Sequence, residues 1–405
     1  MAKVNSLIAS VITAQYIGAG TVMPIKTVGG VYYQVYAEAG TSDLVFRKST
    51  DGGKTWSAAT VIQTNNVTNL AVWYDRWSGI SAGLIHIAFV DSLTDDTQYV
   101  TIDTENSDSL STITVIFAGA STANGGALSI TRARGGNVYC KTCIDAGVEG
   151  GFARLLNANV PNGAWAARTN SEALATTDQW ALLPDYQADN QDIQCIFVDA
   201  SADELSVQRY DDSADTWAET TISGAGGMVD VAATTNYPHF AAFPDLTNSK
   251  NVVFWWTAVD LLNADLKCSE VTASAVNALT DVVTNSTDDQ GFVAAGLNTD
   301  NADWHVYYGG KSDGSDTFAT AISLNYKIST DDGSTWGSET DLVFSGSAAS
   351  ADILGGTLVS IHACPRFDTR QIVVFMTGTM LLACIDEPAA AAGVASSMFG
   401  GGVVQ

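Results

Sequence analysis

Residues 49–56 read Ser49-Thr50-Asp51-Gly52-Gly53-Lys54-Thr55-Trp56, and the pattern returns as Ser329-Thr330-Asp331-Asp332-Gly333-Ser334-Thr335-Trp336. A worn copy stands at Tyr210-Asp211-Asp212-Ser213-Ala214-Asp215-Thr216-Trp217. There Asp212, Thr216 and Trp217 keep their places while the Ser and the Gly are lost. Each copy reads as a tight hairpin. The Asp caps N–H groups of the turn, the Gly takes a conformation that other residues resist, and the Trp anchors the turn on its sheet. Recurrence at wide spacing means that one supersecondary unit is used repeatedly.

Outward from these turns, apolar runs of strand length recur with Gly, Asn, Asp and Ser between them, and helical periodicity is nearly absent. The strongest runs begin near Val31, Ile85, Val138, Ile193, Val252, His305 and Ile372, from 53 to 67 residues apart. That spacing holds about four strands, so the runs read as the second strands of seven propeller blades. Candidate inner strands precede them, among them Ala71–Tyr74, Trp180–Leu183 and His239–Phe243. Three inner strands end in a turn led by Pro184, Pro244 or Pro365. The last unit supplies only three strands. The orphan run Leu7–Ala14 is expected to complete it as the outer strand and so close the ring.

The repeated turn resembles the Asp box, or BNR repeat, of sialidase-like β-propellers. It is carried by Ser49, Asp51, Gly53, Thr55 and Trp56, by Ser329, Asp331, Gly333, Thr335 and Trp336, and in worn form by Asp212, Thr216 and Trp217. The resemblance implies a β-propeller; with the spacing of the runs, the expectation is an all-β, seven-bladed β-propeller over 1–387, with an N-terminal strand at about 6–14 in the last blade. Residues 388–405 (PAAAAGVASSMFGGGVVQ) follow as a Gly/Ala-rich extension, expected as an assembly arm. Asp boxes are scaffold turns and usually lie away from active sites. The sialidase pattern itself is broken. The slot for its first arginine reads Val22-Met23-Pro24-Ile25-Lys26, with Met23 at the arginine position. Arg47, Arg154 and Arg209 fall near third strands, and Arg76, Arg132, Arg134, Arg366 and Arg370 at or after inner strands. The latter group is expected to cluster near the loops joining first and second strands, the opposite end from the expected pocket, so no carboxylate clamp converges there.

The 405 residues carry 44 acids against 18 bases, a net charge of −26. Such a surface repels nucleic acid and anionic membranes. No apolar stretch is long enough to insert into a bilayer, and no secretory leader is evident after Met1. Cys140, Cys143, Cys195, Cys268, Cys364 and Cys384 lie mostly in apolar runs without disulfide spacing. Cys140 and Cys143 form a C-x-x-C on a strand, where positions three apart face opposite sides and cannot share a metal. His86, His239, His305 and His362 occur singly in strands, and no hydrolase elbow or phosphate loop is present.

One chemical pattern stands out. The loops after the second strands are acidic, and Asp91, Asp145, Asp199 and Asp260 fall at the same point of the repeat. Carboxylates ringing one face suit sugar hydroxyls or Ca²⁺, and a facing pair would suit glycoside hydrolysis. The bland alternative is that Asp caps hairpin ends. Trp73, Trp77, Trp255, Trp256 and Trp304 offer either sugar-stacking faces or blade-to-blade packing.

The leading functional expectation is a non-enzymatic structural or adhesion propeller, a virion component such as a phage tail, fibre or capsid-associated protein. It would assemble in a host cytoplasm through its termini, form oligomers and touch host-surface carbohydrate, with no cofactor unless Ca²⁺ occupies the acidic loops. The alternatives are a sialidase-like or other glycoside hydrolase and a lectin-like surface module.

Overall fold

The computed structural model describes residues 3–9, 24–64, 66–74, 83–119, 127–143, 150–171, 178–228, 240–257, 265–284, 293–309, 324–343, 358–368, 371–377 and 380–386. Apart from one 3-10 turn at Asn157–Asn159, every regular element in these stretches is a β-strand. The first sheet holds β2 (Ile25–Lys26), β3 (Tyr32–Ala37), β4 (Leu44–Ser49) and β5 (Thr60–Gln63). The next holds β6 (Val67–Tyr74), β7 (Leu84–Asp91), β8 (Asp96–Asp103), the short β9 (Ser109–Leu110) and β10 (Thr114–Phe117). A third contains β11 (Leu128–Arg132), β12 (Val138–Cys143), β13 (Gly150–Leu155) and β14 (Ala166–Ala167). Then come β15 (Gln179–Pro184), β16 (Ile193–Asp199), β17 (Glu204–Asp211) and β18 (Thr216–Ser223), followed by β19 (Phe240–Asp245), β20 (Lys250–Trp256), β21 (Leu266–Val271) and β22 (Val276–Ala278). The last sheet of this kind holds β23 (Val293–Asn298), β24 (Trp304–Gly309), β25 (Leu324–Ser329) and β26 (Thr340–Val343).

These are six blades of a β-propeller, each an antiparallel meander of consecutive strands. That is one blade fewer than the sequence spacing predicts. Beside them stands a composite sheet in the order β1 (Lys3–Ala9), β30 (Met380–Asp386), β29 (Ile372–Thr377), β27 (Leu358–Ala363), built from both ends of the described chain. Its outer strand begins earlier than the expected 6–14. Lys3 pairs with Asp386 and Ala9 with Leu381, because the ladder of β30 offers its backbone groups from Asp386 backward. The pairing is between backbone groups, so the apolar run that suggested Leu7 as the start did not set the boundary. Residues 10–14, and the expected arm 388–405, lie outside the described residues.

Each predicted second strand lies within two residues of an observed one, from Tyr32 to Ile372. Such central strands are paired on both edges and packed on both faces, so they need continuous apolar runs. In β3, β7 and β20 nearly every residue is buried. Outer strands are the reverse: β18 exposes most of its length.

The inner strands β6, β11, β15, β19, β23 and β27 stand side by side around the axis. One apolar cluster joins the composite sheet to the first blade, through Ile8, Ile372 and Val374 against Ile25, Tyr32 and Tyr36. On its other side the short strand β28 (Arg366–Phe367) pairs in parallel with the edge of β23, Leu297 opposite Arg366. Gly296 makes that approach possible, since a Cβ there would lie 2.3 Å from the Cys364 carbonyl oxygen. Lys26 and Asp368 add an ion pair between the segment after β28 and the first blade.

Candidate functional site

The two full turns are superimposable in their bonding. Ser49 Oγ donates to Asp51 Oδ1 (2.7 Å) and accepts from Gly53 N (2.8 Å). Asp51 in turn accepts from Thr55 N (3.0 Å) and Thr55 Oγ1 (2.6 Å). In the second turn Ser329 bonds Asp331 (2.9 Å) and Gly333 N (2.8 Å), and Asp331 accepts from Thr335 N (2.8 Å) and Oγ1 (2.6 Å). The Thr55 hydroxyl, helped by the turn N–H groups, holds the Asp51 carboxyl down to about 2, and Asp331 is lowered for the same reason. Both turns join third to fourth strands, and in the second the Trp leans on the neighbouring blade, Trp336 Nε1 donating to Thr280 O at 3.0 Å.

The worn copy works differently. Its capping acid is Asp211, which accepts from Ala214 N (2.8 Å) and Ser213 Oγ (2.7 Å). Asp212, the expected cap, instead receives both Arg154 Nη1 contacts (2.6 and 2.8 Å), and its own N–H donates to Asp192. Without the Ser and Gly the turn is tighter, Asp211 pairing directly with Thr216, so the acid moves back one residue. Trp217 keeps its role and donates to Thr169 O at 2.7 Å.

At the face formed by the loops between second and third strands, Asp91 and Asp199 cap their own hairpins. Asp91 accepts from Leu93 N (2.9 Å); Asp199 accepts from Ser201 N (2.8 Å), Ser201 Oγ (2.7 Å) and Ala202 N (3.2 Å). Asp145 and Asp260 lie outside the described residues. Among the described residues no group of three or more His, Cys, Asp or Glu side chains is placed to hold a metal ion. His86, His305 and His362 are buried, and burial lowers them to about 3, 4 and 4, so they are neutral. Trp73 and Trp255 lie in one apolar cluster and Trp256 and Trp304 in another, as blade packing rather than exposed platforms. Trp77 lies outside the described residues. Cys140 is buried, and burial pushes its thiol up.

Along the axis, the inner strands leave a channel of about 40 Å³ of water-accessible space, enough for a few waters. Ala181, Leu183, Ala241, Ala295 and Ile361 contribute to an apolar wall, with Ser129 and His362 as polar members.

At the opposite end, the loops between first and second strands, where the sequence places Arg134 and the turn led by Pro184, form a stitched rim. Arg134 donates to Asp185 O (2.6 Å) and Gln187 O (2.5 Å), while its guanidinium lies over the Tyr186 ring, 5.7 Å from the centroid. Asp185 accepts from Tyr186 N (2.6 Å), Gln194 Nε2 (2.6 Å) and Gln187 Nε2 (2.9 Å). Asn251 of the next blade bonds Pro184 O (2.9 Å) and Gln194 Oε1 (2.8 Å). The available signal was the shared ending of the inner strands: Pro184-Asp185-Tyr186, Pro244-Asp245-Leu246 and Pro365-Arg366-Phe367. The third-strand arginines are struts instead: Arg47 donates to Tyr36 OH (2.8 Å) and Arg209 to Thr272 O (2.7 Å).

No protein-family profile matches this sequence, and no curated protein does. Solved structures match in fold. An ulvan lyase of polysaccharide lyase family PL25, bound to a GlcA–Rha3S saccharide, has a TM-score of 0.54 at 8% identity, over 94% of this chain and 95% of that one. The fucose-specific lectin of Aleuria aurantia (TM-score 0.46, 13% identity) aligns over 82% of this chain and 97% of its own. The NanB sialidase of Streptococcus pneumoniae (TM-score 0.45, 10% identity) aligns over 94% of this chain and 70% of its own. The likeness to the lyase shows the β-propeller fold and nothing finer.

Proposed function

We propose that this chain is a non-enzymatic structural or adhesion propeller that binds carbohydrate on a loop face. The observation that carries this reading is the state of the acids. Asp91 and Asp199 each commit Oδ1 to the N–H groups of their own turns, which suits scaffolding rather than a proton-transferring pair. The axial channel, at about 40 Å³, directs any sugar-sized ligand to a face or rim. Carbohydrate is named by analogy of fold with the saccharide-bound lyase.

The finer reading is a seven-bladed ring. In it the composite sheet of β27, β29, β30 and β1 is the closing blade, and the turns at Asp51 and Asp331 are true Asp boxes. The bridging apolar cluster and the parallel β28–β23 pairing support ring closure. We further infer service in a larger assembly, such as a virion, through residues 388–405, on the strength of their Gly/Ala-rich composition. A glycan array with the full chain, read beside a glycosidase assay on the bound glycans, tests the first claim: binding without turnover is expected, and turnover refutes it. Light scattering of the full chain and of a chain ending at Glu387 tests the second. Equal masses refute an assembly arm.

A further inference from the structure

Among the described residues, one fully buried lysine bonds no carboxylate. Lys141 stands on β12, and its side chain crosses to the next blade, where it meets residues of all four strands β15 to β18. Its Nζ lies 5.5 Å from the ring centroid of Trp180, 5.4 Å from that of Phe197 and 5.2 Å from that of Trp217. It donates to Ser171 Oγ at 2.9 Å, to Gln208 Oε1 at 3.4 Å and to Cys195 Sγ at 3.8 Å. Buried charges are ordinarily paired with an opposite charge, so an ammonium set against rings and a sulfur calls for an explanation.

The sulfur is the informative neighbour. Cys195 is fully buried on β16 and forms no disulfide; its only other contact of note is a weak bond from Sγ to Ile196 O at 3.9 Å. An amine from one blade and a thiol from the next thus share one closed space. That space is shallow. Two of the side chains that close it, Ser171 and Trp217, are only half-buried, which leaves it within reach of an oxidant about the size of water. An ammonium beside the sulfur favours the negative charge that attack on a peroxide requires. The four-carbon lysine stem is flexible enough to carry Nζ over the remaining distance.

We propose that Lys141 and Cys195 are the two halves of a covalent bridge that a peroxide closes, a sulfenamide joining Nζ to Sγ across the third and fourth blades. The thiol sulfur attacks hydrogen peroxide. The O–O bond breaks, an S–O bond forms, and the thiol proton leaves with the departing hydroxide as water. Sulfur is oxidised to the sulfenic acid and peroxide is reduced. Nζ then displaces the sulfenic hydroxyl. An N–S bond forms, the S–O bond breaks, and one ammonium proton leaves with the hydroxyl as a second water. A further proton passes to solvent and leaves the neutral sulfenamide. An added dithiol reverses the bridge, giving back thiol and amine as the dithiol is oxidised to its disulfide. The bridge would tie blades that are otherwise joined only by packing and hydrogen bonds, and it stands independently of the carbohydrate reading.

The test treats the full reduced chain with a few-fold molar excess of hydrogen peroxide, followed by digestion without reductant and mass spectrometry. A peptide joining Lys141 to Cys195 is expected, about 2 Da lighter than the two parts together, and lost on adding dithiothreitol. The oxidised chain is expected to melt several degrees higher than the reduced one, because a link between distant residues restricts the unfolded chain. Peroxide added to the chain unfolded in urea should give no such peptide, since only the fold brings the two groups together. Cys195→Ser and Lys141→Met should each abolish the link and the rise in melting temperature, and the wild-type digest decides alone if neither variant folds. The proposal is overturned if peroxide leaves Cys195 a thiol, if Cys195 is recovered only as an unlinked sulfenic or sulfinic acid, or if the unfolded chain forms the link equally well.

Discussion

Replacing Gly333 by Ala tests whether the repeated turn is a packing device or only a tight bend. Gly333 has φ of +79°, and a Cβ placed there would meet Trp304 Cζ3 at 2.7 Å and Leu279 Cδ1 at 3.0 Å. Trp304 is fully buried, with Lys250 Nζ 4.9 Å from its ring centroid, so the indole has no room to retreat. Gly30 is the control. Its φ is +78°, and nothing lies within 4 Å of the added methyl. The left-handed conformation costs an Ala about 1–2 kcal/mol, partly offset by about 0.5 kcal/mol from a stiffer unfolded chain. Gly30→Ala should therefore cost about 1 kcal/mol. Gly333→Ala carries the same cost plus about 1–3 kcal/mol of overpacking, for a total near 3 kcal/mol. Urea unfolding followed by tryptophan emission measures both. Equal losses in the two variants would refute the claim that the turn packs on Trp304.

Three further outcomes follow from the same geometry. Asp192 is buried, and burial, with Asp189, Asp211 and Asp185 nearby, raises its carboxyl from 3.8 to about 6. The native state then holds its proton more tightly than the unfolded chain, so stability falls as pH rises from about 4 through 6. Asp192→Asn, which keeps the acceptor for Asp212 N, should match wild type at pH 4 and exceed it by up to about 3 kcal/mol at pH 7.5; parallel pH curves would sink this. Asp51 is the opposite case. Its lowered carboxyl contributes stability above the ordinary carboxylate range that is lost as pH falls through about 2. Asp51→Ala should cost about 1 kcal/mol at pH 7 and progressively less in acid, which an acid titration of the melting temperature reads directly. Lys141 is fully buried, its Nζ 5.2–5.5 Å from the ring centroids of Trp180, Phe197 and Trp217 and bonded to Ser171 Oγ at 2.9 Å. Lys141→Met fills the same space and should be within about 1 kcal/mol of wild type, whereas Lys141→Ala should lose about 3 kcal/mol to the cavity. Similar losses in both would show that charge, not volume, holds the site.

The sequence by itself determined the all-β class, the positions of the second strands and the two intact turns. Each of these is local. A strand buried on both faces reads as a near-continuous apolar run, as Cys195-Ile196-Phe197-Val198 does in Ile193–Asp199, and a Ser-Asp-Gly-Thr-Trp turn closes its hydrogen bonds within eight residues. Tertiary structure alone decided the rest. Asp212 bonds Arg154, 58 residues away, rather than its own turn, because a missing Gly changed the hairpin. The outer strand of the composite sheet starts at Lys3 because β30 presents its ladder there. Asp91 and Asp199 look alike in sequence whether they cap or catalyse, and only the placed N–H groups tell the two apart. Lys141 and Cys195 carried no joint signal. They stand 54 residues apart and meet only because two blades pack side by side around one axis.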